Sequence, residues 1–269
     1  MKVLRLIGAS FSMYSRLPMP RFEMKDDDMK NCIMFLPLTG LICGAALFGL
    51  VRLLSGQPVP VSVKGLVAAL IPLIITGGFH FDGFMDTVDA ISSYRKKDKK
   101  LEILADPHIG SFAVIRTAMV LMLLVAGLCI TINIETTKDI PAVILVCGIF
   151  VISRALAGLT SILMKKAKED GMLAEETDGS MNAAIIVLMI QLIAVLSFMA
   201  YIDVIHTGVI LVAFAAYTVF YRYIVMKNFG GVTGDTAGYY VTVSEVFAIC
   251  VLAVSLIITT GLHNATQIL

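Results

Sequence analysis

Apolar residues in this chain come in long, nearly unbroken runs separated by short polar stretches, which is the pattern of buried or membrane-spanning helices and not the alternation of half-buried strands. Seven runs approach the roughly 20 residues that a membrane-crossing helix needs: 32–54, 62–81, 110–132, 140–163, 183–202, 207–226 and 239–260. The first fifteen residues, MKVLRLIGASFSMYS, carry a shorter, broken apolar pattern that predicts an amphipathic helix at the membrane surface and not a cleaved leader. The connections are short, without a linker, a low-complexity segment or an internal repeat. The pattern therefore predicts an all-α fold, a polytopic integral membrane bundle of about seven transmembrane helices, with residues 1–269 forming one membrane-embedded domain.

Composition agrees. Hydrophobic residues make up 58% of the chain and charged ones 15%, against roughly half and a quarter in soluble domains. A net charge of +1 gives no electrostatic basis for a nucleic-acid partner. The five cysteines all lie in apolar runs with no C-x-x-C pair, so they read as small buried hydrophobes. What the charges do supply is orientation, because cytoplasmic loops carry the Lys and Arg. The N-terminal segment, loops 92–108 and 164–182 and the end of the sixth run hold 16 of the 21 basic residues. The alternate side holds Arg52, Lys64 and Lys138, while Arg116 and Arg154 fall inside spans. The N-terminus is thus expected in the cytoplasm.

That orientation places two unusual stretches on the same cytoplasmic face: GGFHFDGFMDTVDA (77–90) and GGVTGDTAGYY (230–240). The Asp106 region and the acidic loop 174–178 fall there too. Asp82, Asp86 and Asp89 are spaced i, i+4, i+7, so on one helix they fall within about 60° of each other. At about 6 Å and an effective dielectric near 20, each like-charged pair costs about 3 kcal/mol, so a cation is expected among them. Hard oxygen ligands suit Mg²⁺, which keeps waters and is completed by substrate phosphates. His80 lies about 160° from the stripe if the helix is continuous. It is either a buried, hydrogen-bonded histidine or a proton acceptor, the second if Gly77 and Gly78 break the helix before it.

In the second stretch, Gly230, Gly231 and Gly234 offer bare backbone amides to a phosphate, with Thr233 adding a hydroxyl and Asp235 a carboxylate. Glu245, Arg116 and Arg154 lie within the cytoplasmic halves of their spans, where an ionisable side chain costs about 2.5 to 3.5 kcal/mol and marks a functional site by default. The arginines either pair with these acids or bind a diphosphate bidentately. The run SYRKKDKKLEIL reads as a topology anchor and anionic-lipid contact.

The order of these motifs resembles the cobalamin (5′-phosphate) synthase family, the adenosylcobinamide-GDP ribazoletransferases. The landmarks are RLPMPR (16–21), FLPLTG (35–40), the H-x-D-G-x-x-D-T-x-D pattern at 80–89, LEILADPHIGSF (101–112), the Ser-Arg at 153–154 and GGVTGDTAG (230–238). The resemblance covers nearly the whole chain and implies transfer of α-ribazole, or its 5′-phosphate, onto adenosylcobinamide-GDP with release of GMP and with Mg²⁺ as cofactor. It implies Asp82, Asp86 and Asp235 as metal and diphosphate residues, with Asp89 and His80 as candidates for deprotonating the attacking hydroxyl. Arg16, Arg21 and Arg154 match family arginines that engage phosphate or corrin amides, and Asp106, Thr233 and Glu245 also occupy matching positions. Three departures stand out: Asp106-Pro107-His108 replaces an Asp-Ser-Arg, Gly238-Tyr239 replaces a Gly-Ala, and Thr242 stands where a glutamate is common. Arg116 has no counterpart.

The resemblance implies a prokaryotic inner membrane, a cytoplasmic active site, contact with membrane lipid and room for a homo-oligomer. Two alternatives are weighed against it. Another Mg²⁺-dependent membrane phosphotransferase or prenyl transferase would also use aspartate-rich helix ends, at different spacings. A secondary transporter would show repeated halves and midplane broken helices, neither of which is found.

Overall fold

The structure, a computed structural model, describes residues 2–19, 28, 31–138, 141–167, 173 and 181–266. Ten α-helices are present among them: α1 Lys2–Tyr14, α2 Leu36–Leu53, α3 Val61–Thr76, α4 Phe79–Ser92, α5 Lys97–Ile103, α6 Ser111–Lys138, α7 Ala142–Leu163, α8 Met181–Ile202, α9 Val204–Asn228 and α10 Gly234–Thr266. A 3-10 turn, Cys32–Phe35, leads into α2, so the first predicted run begins with this turn. Six segments are long and apolar enough to cross a membrane: the turn with α2, then α6, α7, α8, α9 and α10. The all-α membrane bundle predicted from the hydrophobic pattern is the observed architecture.

The seventh run is built differently from the expectation. The predicted span 62–81 ends at Thr76, and α4 leaves α3 at an angle of 93°. Gly77 and Gly78 make this bend, with φ of 63° and 82°, a region L side chains enter at a cost. The two glycine amides donate back to Ile74 and Leu73 and close the end of α3. At 16 residues, α3 is about 24 Å long. α3 and α4 together form one sharply bent apolar pair, which brings the count to seven if the pair is taken as one span.

α7 is apolar on every side and buried on nearly every side, so it forms the centre. α2 runs antiparallel beside it, with Gly40 against the backbone of Phe150 and Gly44 against Cys147, the small-residue contact that lets membrane helices approach closely. α9 and α10 pack antiparallel through Tyr217, Tyr221 and Tyr240, whose rings meet at 4.9 to 6.5 Å. Tyr14 of α1 meets Phe79 edge to face at 5.8 Å, so the amphipathic N-terminal helix braces the bend before α4. One bundle end thus gathers α1, α4, α5, the starts of α6 and α10 and the ends of α7 and α9. Lys97, Lys100, Lys165 and Lys227 sit at this same end.

Candidate active site

α4 crosses the first turns of α10 at a glycine-to-glycine contact. A methyl on Gly83 would lie 2.8 Å from the Asp235 Cα, and one on Gly238 would lie 2.9 Å from the His80 carbonyl oxygen. Thr242 Oγ1 donates to that same His80 carbonyl at 3.2 Å. The contact brings Asp82 and Asp86 of α4 beside Asp235 of α10, which are some 150 residues apart in sequence. Asp82 is exposed and Asp86 half-buried, and neither is paired among the described residues. Burial, and then the charges of Asp82, Asp235 and Asp89, raise the Asp86 carboxyl from 3.8 to about 7. The crowding of negative charge foreseen from the spacing is present, and it extends to a second helix.

Asp89, on the same stripe, has a different task. Its carboxylate accepts the Gly110 amide at 2.5 Å and the Ala113 amide at 2.9 Å. Both belong to the start of α6, so Asp89 caps that helix from a distance and complements its dipole.

His80 is buried, as one of its two readings held, but its Nε2 has no hydrogen-bond partner among the described residues. It lines a small, mostly apolar cavity of about 30 Å³ with Tyr14, Ser161 and Gly234. Burial first, and the positive charge of Arg154 second, lower its proton affinity well below the usual histidine value, so the ring is neutral at pH 7.

The glycine loop is tied to the protein itself. The Gly230 amide donates to Val225 at the end of α9, and Val232 forms a parallel bridge with 165–167, its amide on Lys165 and its carbonyl accepting Ala167. Gly231 is pressed against that segment, where a methyl would lie 2.4 Å from the Lys165 oxygen. In this loop the Gly230 amide is engaged by Val225, and Gly231 makes a close backbone contact. Thr233 and Thr236 cap α10 reciprocally, Thr233 N to Thr236 Oγ1 at 2.8 Å and Thr236 N to Thr233 Oγ1 at 3.2 Å. Gly234 and Asp235 already form the first turn of α10, earlier than the predicted start at 239, so the acid sits at the positive end of a long helix.

The two ionisable groups deep in the spans meet each other. Arg154 Nη1 donates to Glu245 Oε1, and Ser153 Oγ donates to the same oxygen at 2.7 Å. Arg154 also donates to the Phe150 carbonyl at 2.8 Å. Of the two readings for Arg154, the fold realises the ion pair. Arg16 is exposed and lies over Gly77 at the bend, its amide on the Ile75 carbonyl at 2.8 Å. Arg21 and the acidic loop 174–178 lie outside the described residues. Asp106 closes a turn of its own loop, accepting the His108 amide at 3.0 Å and meeting the His108 ring at 2.6 Å. These bonds hold its carboxyl below the usual range. Arg116 is exposed, in the second turn of α6.

The sequence of residues 6–253 matches the family model for cobalamin-5-phosphate synthase. The chain belongs to that family. Among similar curated proteins, the adenosylcobinamide-GDP ribazoletransferase of Lachnoclostridium phytofermentans is 36% identical over 92% of this chain and 93% of its own length. The proteins of that name from Listeria monocytogenes serotype 4b and Clostridium botulinum Alaska E43 are 34% and 32% identical over 84% and 88% of the chain. No solved structure matches it.

Within this cobalamin-5-phosphate synthase framework, several site neighbours escaped the sequence reading. Lys97 donates to the Met226 carbonyl at 3.0 Å and Lys100 to Asn228 Oδ1 at 2.6 Å. Two lysines of the basic run thus dock α5 on the C-terminal end of α9, where cations are favoured by the helix dipole. Burial and the neighbouring Lys227 lower Lys100. Only the paired Lys/Asn spacing across 128 residues would have revealed this, and no local pattern carries it. Among the described residues no three His, Cys, Asp or Glu side chains converge tightly enough to hold an ion alone. Two carboxylates plus substrate oxygens are what this donor set fits, which is the coordination habit of Mg²⁺.

Proposed function

We propose that this chain catalyses the transfer of α-ribazole, or α-ribazole 5′-phosphate, onto adenosylcobinamide-GDP, releasing GMP. Family membership and the names of the relatives support the reaction class. The observation that carries the site is the meeting of Asp82, Asp86 and Asp235 at one bundle end, with Asp86 raised to about 7 by burial and then by its acidic neighbours. A ribose hydroxyl attacks the cobinamide-bearing phosphorus, one P–O bond forms, the P–O bond to GMP breaks, and the hydroxyl proton leaves.

Asp82 and Asp235 would hold Mg²⁺ together with diphosphate oxygens. When bound, the ion neutralises charge on the diphosphate and on the leaving phosphate. Asp86 is the best-suited proton acceptor: it is half-buried, unpaired, and has a proton affinity near neutrality, where general bases are most effective. This differs from the roles the resemblance implies, because Asp89 is committed to the α6 amides and His80 faces a cavity too small for a nucleoside. His80 and Asp89 then act by positioning α4. Arg16, at the rim of the bend, is placed to meet the diphosphate or the corrin amides.

The basic residues at this bundle end support a cytoplasmic active site in a prokaryotic inner membrane. A bulky amphipathic substrate then reaches the site from the water side while lipid holds the bundle. The test is GMP release by purified protein. With Mg²⁺ and adenosylcobinamide-GDP, GMP should appear only when α-ribazole or its 5′-phosphate is added. Asp82→Asn and Asp235→Asn should raise the Mg²⁺ requirement, and Asp86→Asn should flatten the pH profile. GMP release without a nucleophile, or substrate uptake into sealed vesicles with no GMP formed, would overturn the reading.

A further inference from the structure

The opposite end of the bundle holds a polar cavity, of about 310 Å³, bounded by Arg52, Ser55, Lys64, Glu135 and Thr136. That volume is within the range of small-molecule sites. Its chemistry is unbalanced. Glu135 is the one acid among these lining residues, and both its oxygens are engaged: Oε1 stands 3.6 Å from Arg52 Nη2, and Oε2 accepts the Val143 amide at 2.6 Å. Arg52 is held in place from the other side by the Phe48 ring, 4.9 Å from its guanidinium carbon.

Lys64 is the decisive residue. It sits in the first turn of α3, is only 7% exposed, and lines the cavity. Its ammonium has no hydrogen-bond or ion-pair partner among the described residues. The residue is buried and lines this cavity, so the space is where a charge partner for it would sit. With Arg52 and Lys64 positive and Glu135 negative, the lining carries one net positive charge among the described residues. A planar guanidinium fork beside a compact ammonium, with the Ser55 and Thr136 hydroxyls on the rim, matches a tetrahedral oxyanion.

We infer that this cavity binds a singly charged phosphate group, through Lys64 and Arg52, at the end of the bundle remote from the aspartates. The group comes either from the phosphodiester of an anionic phospholipid, whose headgroup lies at the depth of a helix end, or from free phosphate. Nothing in the transfer reaction uses these residues, so the site stands or falls independently of the proposed activity.

Full-length protein in detergent, titrated with phosphatidylglycerol or phosphatidylcholine and followed by native mass spectrometry, separates the outcomes. Wild-type protein should retain phosphatidylglycerol over phosphatidylcholine. Lys64→Gln should weaken retention about tenfold or more, the scale of removing one partner from a buried charge contact. Lys64→Arg should recover most of it, and the exposed Arg52→Gln should show a smaller loss in the same direction. If excess inorganic phosphate displaces the lipid, or raises the unfolding temperature of wild type but not of Lys64→Gln, free phosphate is a ligand of the site. If it does neither while lipid retention depends on Lys64, the headgroup is the ligand. Phosphatidylglycerol retention unchanged in Lys64→Gln, with no phosphate-dependent stabilisation of wild type, overturns the inference. Gel-filtration elution and unfolding temperature check that each variant is folded.

Discussion

Gly83 of α4 lies so close to Asp235 of α10 that a methyl group on it would sit 2.7 Å from the Asp235 carbonyl oxygen. The first carboxylates of the site and the last are therefore positioned by one backbone contact. Gly83→Ala should push α4 off α10, at a cost of about 1–3 kcal/mol for overpacking. The displaced carboxylates should lower kcat for GMP release by about 100-fold, since misplacement near 1 Å has that effect. Unfolding temperature and kcat measured together check this, and a variant with normal kcat would separate Asp235 from the site.

Asp86 gives the protein a pH signature. Its folded carboxyl titrates near 7, and the unfolded one near 4. Between those values the folded state holds a proton that the unfolded chain has released, so this group's contribution to stability is fully present below about pH 4 and is lost as pH rises through 7. In metal-free solution the unfolding temperature of wild type should fall from about pH 5 to about pH 8, and Asp86→Asn should fall less. Equal slopes would show that neither burial nor the neighbouring carboxylates raise Asp86.

Asp89 is expected to matter through α6. Asp89→Ala removes the acceptor for the Gly110 and Ala113 amides and should cost about 0.5–2 kcal/mol, the range for a lost helix cap. Asp89→Asn keeps one acceptor and should lie between. The shape of the pH–rate profile should not change in either, whereas a proton acceptor would abolish its acidic limb.

Arg154 and Glu245 should behave as a unit. Removing either partner leaves a charge buried in the bundle and should cost about 3–5 kcal/mol. The pair Arg154→Met with Glu245→Leu should recover much of that loss. A double-mutant cycle on unfolding measures the coupling. If Arg154 instead gripped the diphosphate, the double variant would regain stability but keep a raised KM for adenosylcobinamide-GDP.

Much of this protein was legible in its sequence because a membrane imposes a one-dimensional rule. A helix that crosses hydrocarbon must be apolar for about 20 residues, and its basic flanks mark a side. Six spans, the N-terminal amphipathic helix and the aspartate stripe of α4 all follow from local spacing. The bend at Gly77 and Gly78 was also signalled locally, although its 93° angle was not. Roles were a different matter. Asp82, Asp86 and Asp89 look equivalent along the chain, yet Asp89 is bonded to the α6 amides while Asp86 feels the charges of Asp82 and Asp235. Arg154 looked as free to bind phosphate as to pair with an acid until α7 and α10 brought Glu245 beside it. Gly230 and Gly231 look alike along the chain, yet segment 165–167 packs against Gly231 while Gly230 turns back onto Val225. Helix formation and membrane insertion depend on neighbours a few residues away, so composition and period determine them. Which carboxylate is spent on an amide, a guanidinium or a substrate depends on contacts separated by tens to more than a hundred residues, and only the packed bundle decides those.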